Sequence, residues 1–325
     1  MAKANVHPNR GFEQIRTLLD LPEVVSLVAD LEATRQTDRP GYPVRSMVGM
    51  ALVKSMYCLP RWTRTVALVA EHDSLRSVIG TTPSPDACYR FTRKLQAHAD
   101  RLDDCMASVV NGVHYAYPEY GMTVAIDGSD LPAYANGQKY VSNKSKIERK
   151  RFSDPDATWG HRSAISTRGH GGYYGYKIHA AVCVKTGLPV VWETHTAADA
   201  EVPVVPDLLD AMRTRGLLPS VCIMDRGYDA ETIYEACESR GIRPVVPLRE
   251  TPSVKAGKAA PPKCEHGTWT FAGSDAKRGA AKYRCPTGQC HPASVWIRAD
   301  RLHTLIPRET DRWKDLYHQR GAVER

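Results

Sequence analysis

The sequence contains no run of about 18 consecutive apolar residues, so no transmembrane helix is expected. Its start, Met1-Ala-Lys-Ala-Asn-Val-His-Pro, lacks the apolar core of a signal peptide, which points to a cytoplasmic protein. Acidic residues are short: 36 Asp and Glu face 44 Lys and Arg, a formal net charge of +8 that favours a polyanionic partner. The nine cysteines are odd in number and carry no secretion signal, so disulfides are not expected. Lone cysteines then read as core residues and clusters as metal sites. No Gly-x-Ser-x-Gly nucleophile elbow occurs. Gly169 to Gly175 holds four glycines without the strand-to-helix context of a phosphate loop, and reads as a flexible turn. With 42% hydrophobic and 25% charged residues, neither wholesale disorder nor a low-complexity chain fits.

What is there divides by pattern. Residues 10 to 110 read as helices: Val24, Leu27, Val28 and Leu31 fall at i, i+3, i+4 and i+7. Ser46 is an expected N-cap, Thr63 to Ile79 a helical stretch stopped by Gly80, and Ser84-Pro85 the start of a further helix. Short helices with tight connections suit a helix-turn-helix-like DNA-binding region over 1–115. From about 121 the texture becomes strand-like. Thr123 to Ser129, Tyr176 to Val184 and Leu188 to Thr194 read as strands, followed by a helix over 201–215. Val221 to Asp225, a helix from Ala230 to Arg240, and Arg243 to Leu248 complete a β-β-β-α-β-α-β order, which implies a mixed sheet flanked by helices. Residues 251–262 read as a linker into a small β-rich insertion over 251–305, and 306–325 as the start of a last helix.

Asp127 closes Val-Ala-Ile-Asp-Gly and Asp225 closes Cys-Ile-Met-Asp-Arg-Gly-Tyr. A carboxylate at a strand end is rigidly held yet points out of the core, as a divalent metal requires, although such aspartates also commonly cap the next turn. Tyr317, Arg320 and Glu324 are spaced i, i+3 and i+7, which a helix would gather on one face.

Taken in order, Asp127-Gly, Asp225-Arg-Gly-Tyr and Tyr317-x2-Arg320-x3-Glu324 resemble the DDE transposases of bacterial insertion sequences, in the branch with a tyrosine, arginine, glutamate and lysine signature. Gly175 to His179 and Gly241 to Leu248 are similar to further segments of that family. The resemblance implies an RNase H-like core over 121–250 and cleavage and strand transfer of double-stranded DNA at element ends. Asp127, Asp225 and Glu324 would hold two Mg2+ or Mn2+ ions, and Tyr317 and Arg320 a phosphate. The signature's lysine would fall beyond Arg325, so a truncated chain of weak activity is the expectation. A catalytically silent DNA-binding protein is the alternative reading, and a stand-alone metal-dependent nuclease a third. A homodimer on DNA and a nucleoid association follow from the same likeness.

Two clusters remain. Cys264, His266, Cys285 and Cys290, with His291 in reserve, resemble paired zinc knuckles; incidental cysteines in a β-rich insertion are the alternative. Lys144, Lys146, Arg149, Lys150 and Arg151 lie in a basic segment beside the first catalytic strand that would face DNA phosphates. Arg90, Arg93 and Lys94, with Tyr89, lie on the helix after Ser84 and are candidates for a DNA groove.

Overall fold

The computed structural model describes residues 8–35, 41–133, 135, 154–162 and 171–324. The chain forms two compact units, Met1–Ala116 and Tyr117–Arg325. Among the described residues no helix is long and apolar enough to cross a membrane.

The first unit is helical: α1 (Pro8–Leu19), α2 (Pro22–Ala33), α3 (Val44–Met56), α4 (Trp62–Glu71), α5 (Asp73–Ile79), α6 (Pro85–Ala97) and α7 (Ala99–Ala116). Leu27 and Leu31 of the apolar stripe on α2 are buried with Met50, Val53, Val69, Ile79 and Phe91 in one core. Gly80 adopts the left-handed conformation that ends α5, and the Ser84 hydroxyl accepts from the Ala87 amide to cap α6. Two local expectations are corrected. The stretch Thr63 to Ile79 breaks at His72, whose extended backbone separates α4 from α5. Ser46 lies inside α3, where its hydroxyl donates to the Ile79 carbonyl at 2.7 Å. The neighbouring Gly49 permits that approach, since a Cβ there would lie 2.5 Å from Ile79 Cδ1.

The second unit is built on a mixed sheet: β1 (Thr123–Pro132), β2 (Thr158–Arg162), β3 (Gly171–Cys183), β4 (Pro189–Thr196), β5 (Val221–Met224) and β6 (Arg243–Val245). The order is β2-β3-β1-β5-β6, with β4 also on β3. The β1–β3, β2–β3 and β3–β4 pairs are antiparallel; β1–β5 and β5–β6 are parallel. Helices α8 (Val204–Thr214) and α9 (Glu231–Glu238) connect the later strands, and α8 packs on β3 and β4. This is the RNase H-like arrangement.

Gly171 to Gly175 belong to β3 and pair with β2; they are not a loose turn. A Cβ at Gly175 would collide with the Leu131 carbonyl, and one at Gly160 would lie 2.6 Å from the Ala197 carbonyl. The glycines therefore serve close backbone approach.

After β6 come α10 (Pro252–Lys255), capped by Thr251 within the expected linker, then β7 (Lys263–Cys264) and β8 (Gly267–Thr268). The strands β9 (Thr270–Asp275), β10 (Ala280–Arg284) and β11 (Ser294–Arg298) form an antiparallel sheet of their own. The last helix, α11 (Asp311–His318), returns to the large sheet, where Trp313 packs with Ala125, Ile223, Val245 and Ile306.

Candidate active site

The parallel ladder of β1 and β5 ends at the pair Ile126 and Met224. Asp127 and Asp225 are the next residues on the two strands. Alternation puts both carboxylates on the face occupied by Ala125 and Ile223, with strand axes about 4.8 Å apart. Asp127 is not at the end of its strand, because β1 runs on to Pro132 against β3. It stands where the parallel partner leaves, which opens one flank. Asp225 accepts from the Gly227 amide at 2.6 Å, so it also caps the 3-10 turn that follows.

Burial pushes the Asp127 carboxyl up to about 6, and repulsion from Asp225 and Glu201 adds to it; the Gly128 amide, 2.8 Å away, and Arg320 oppose the rise. Carboxylates crowded in this way call for a cation. One is already there: Arg320 Nη1 donates to Asp127 Oδ2 at 3.2 Å and Nη2 to Glu324 Oε1 at 2.5 Å. Arg320 thus ties the end of the chain to β1.

The expected helix through Glu324 is corrected. The α-helix α11 stops at His318, a 3-10 turn covers Gln319–Ala322, and Glu324 lies in the turn beyond it. Gly321 in this segment costs roughly 1 kcal/mol relative to alanine in an α-helix, and 3-10 geometry is common at helix C-termini. The Arg320–Glu324 contact survives the change. Tyr317 stacks on Trp313, centroids 5.0 Å apart and planes 15° from parallel, so its ring is fixed by the core.

Sequence reasoning missed a group on the opposite face. Lys177 and His179 alternate on β3, and His179 sits opposite Gly128 in register. The Lys177 ammonium meets Glu201 Oε1 at 3.1 Å, and the fully buried His179 ring lies 3.0 Å from where a Gly128 Cβ would be. The period-two spacing of Lys177 and His179 was the available signal; Glu201 had none.

The Cys/His cluster does converge. Ligand atoms of Cys264, His266, Cys285 and Cys290 all lie within 4.8 Å of one another; among the described residues Asp127, Asp225 and Glu324 do not draw into a comparable group. Cys264 and Cys285 sulfurs are 3.8 Å apart, and His266 Nδ1 is 3.9 Å from Cys264 Sγ and 3.6 Å from Cys290 Sγ. A tetrahedral site with Zn–S bonds near 2.3 Å has edges of about 3.8 Å. The donor set and its spacing fit zinc, and His291 stands outside the group.

Of the other candidates, Arg90 and Arg93 are exposed on α6, whereas Lys94 donates to the Leu31 carbonyl at 2.6 Å and so closes the C-terminal turn of α2. Lys144, Lys146, Arg149, Lys150 and Arg151 lie outside the described residues.

Aspartates thus stand where two adjoining parallel strands of a mixed sheet part, and Arg320, beyond the last helix, contacts both Asp127 and Glu324. Residues 121–325 match the transposase DDE domain family, and the chain belongs to it. Among solved structures, the piggyBac transposase synaptic complex with hairpin DNA is similar at 13% identity and a TM-score of 0.35, over 96% of this chain and 66% of that one. The Mos1 transposase paired-end complex with left transposon end is similar at 11% identity and a TM-score of 0.22, over 72% of this chain and 77% of that one. No curated protein matches the chain. Membership in the family rests on the domain match.

Proposed function

We propose that this protein is a transposase that cleaves insertion-sequence ends in double-stranded DNA and transfers the cut strands, with Asp127, Asp225 and Glu324 as its metal-holding carboxylates. The observation that carries this is the neighbouring position of Asp127 and Asp225 just past the β1–β5 ladder, on the face to which Arg320 ties Glu324. Crowded carboxyl oxygens on a rigid sheet suit Mg2+ or Mn2+. Such ions, bound in a pair, would activate the attacking oxygen and stabilise the leaving one. The protein's own part is to hold Asp127 ionised through the Gly128 amide and Arg320, and to keep Tyr317 and Arg320 at the mouth of the site. The planar guanidinium suits a phosphate in two-point contact.

Further DNA contacts fall to Arg90 and Arg93 in the helical unit and to the basic segment from Lys144 to Arg151. A homodimer on paired ends, acting at the nucleoid, completes the reading. Cys264, His266, Cys285 and Cys290 would hold one structural Zn2+ that folds the inserted sheet. A catalytically silent DNA-binding protein is the second reading; Glu324, half exposed in a turn and held by Arg320, favours it.

The test is cleavage of duplex carrying the element's ends in Mg2+. The wild-type chain should cut, and Asp225→Asn should lose cutting by at least 1,000-fold while binding DNA within about threefold. Binding without cutting by the wild type supports the silent reading, and equal cutting by the variant removes Asp225 from the site.

A further inference from the structure

The inserted sheet has two unlike faces. Its inner face buries Ala281, Tyr283 and Cys285 with Trp269, and packs Phe271, Val295 and Ile297 against them. The alternate residues of β10 and β11 point the other way: Lys282 opposite Trp296, Ala280 opposite Arg298 and Arg284 opposite Ser294. With Lys277 and Arg278 from the β9–β10 turn, this outer face carries five cations. The carboxylate at its edge, Asp275, is engaged by the backbone amides of Lys277 and Arg278.

At the centre of these charges is Trp296, 41% exposed. The Arg278 guanidinium lies 4.7 Å from its ring centroid and the Lys282 ammonium 5.5 Å. An indole surrounded by cations is poorly suited to an apolar partner, because docking one would strip water from charges it could not pair. It is well suited to a polyanion. Cation–π contact holds the two charged heads in place, so less side-chain freedom remains to be lost when they meet phosphate. Lys282 and Arg284 are two residues apart on one strand, about 6.8 Å, so the two cations are spread along the face rather than stacked at one point.

We infer that the outer face of β10 and β11 is a second DNA-binding surface, in which Arg278, Lys282, Arg284 and Arg298 contact backbone phosphates around Trp296. This rests on the reading of DNA as the protein's substrate, but not on the carboxylate site. Phosphate contacts of this kind are independent of sequence.

The experiment measures binding of the full chain to a 30-base-pair duplex of random sequence by fluorescence anisotropy between 50 and 300 mM salt. Each phosphate that is no longer neutralised lowers the slope of log K against log salt by about 0.9. The double variant Lys282→Gln/Arg298→Gln should bind at least tenfold more weakly at 100 mM salt, with a slope smaller by about 2. Trp296→Ala should weaken binding severalfold. Zinc content equal to wild type, with an unchanged near-ultraviolet circular dichroism for the charge variant and an unchanged far-ultraviolet one for Trp296→Ala, reports that the fold is intact. Unchanged affinity and slope overturn the inference. So does weaker binding at an unchanged slope, and so does loss of binding to an acidic protein surface with none to DNA. The Asp225→Asn cleavage assay is separate: its failure would remove the catalytic reading and leave this result standing.

Discussion

Asp127 is a residue whose own energetics oppose its position. Its side chain is largely buried beside Asp225, and its carboxyl is raised to about 6. The folded chain therefore keeps this proton to a higher pH than the unfolded chain does. Stability from this group is full below the ordinary carboxylate value, declines as pH rises toward 6, and stays lower above it. Asp127→Asn mimics the protonated form. In metal-free protein it should raise stability at pH 8 by roughly 3 kcal/mol, because a tenfold change in proton affinity is worth about 1.4 kcal/mol and the rise to about 6 already includes the opposing Arg320 contact. Below pH 4 the gain should vanish. Urea unfolding at the two pH values measures it. A variant less stable at pH 8 would mean that the Arg320 contact outweighs the burial. Asp127, Asp225 and Glu324 stand out in the sequence as candidates because a short motif marks each one. The bridging of Asp127 and Glu324 by Arg320 was not legible: it depends on a contact spanning 193 residues.

At the scale of elements, the inserted sheet depends on few buried residues, and under the proposed function a zinc held by its four convergent Cys and His side chains would substitute for a larger core. Metal analysis of purified protein should give about one zinc per chain. Removal of the zinc by a strong chelator should abolish the near-ultraviolet signal of the insertion, including Trp269, while the helical far-ultraviolet signal remains. Cys285→Ser should reproduce the loss without chelator, and full retention of zinc by that variant would remove Cys285 from the site. The clustering was readable because closely spaced cysteines and histidines leave few arrangements. Where it was unreadable, tertiary contacts had decided the outcome. Glycines 171, 172 and 175 look like a turn until β2 is known to lie against them. Ser46 looks like a cap until the carbonyl of Ile79 claims its hydroxyl.

At the scale of the whole molecule, the strand order and the domain match agree on an RNase H-like transposase core, with a helical unit before it and a small sheet inserted into it. The order of helices and strands was largely visible in hydrophobic periodicity. The sheet's branching, with both β2 and β4 on β3, was not, since residues 158–162 carry no strong alternation. The second DNA surface was equally hidden, because Trp296 and its cations become one patch only when β10 and β11 pair. Under the proposed function, three distant carboxylates act as one metal centre. Mn2+ binding to the full chain at pH 7.5, followed by electron paramagnetic resonance, tests it most directly, with the zinc site kept filled. Asp127→Asn, Asp225→Asn and Glu324→Gln should each weaken Mn2+ binding by at least tenfold, and any two together by little more. Wild-type affinity in any one of the three would contradict a shared centre.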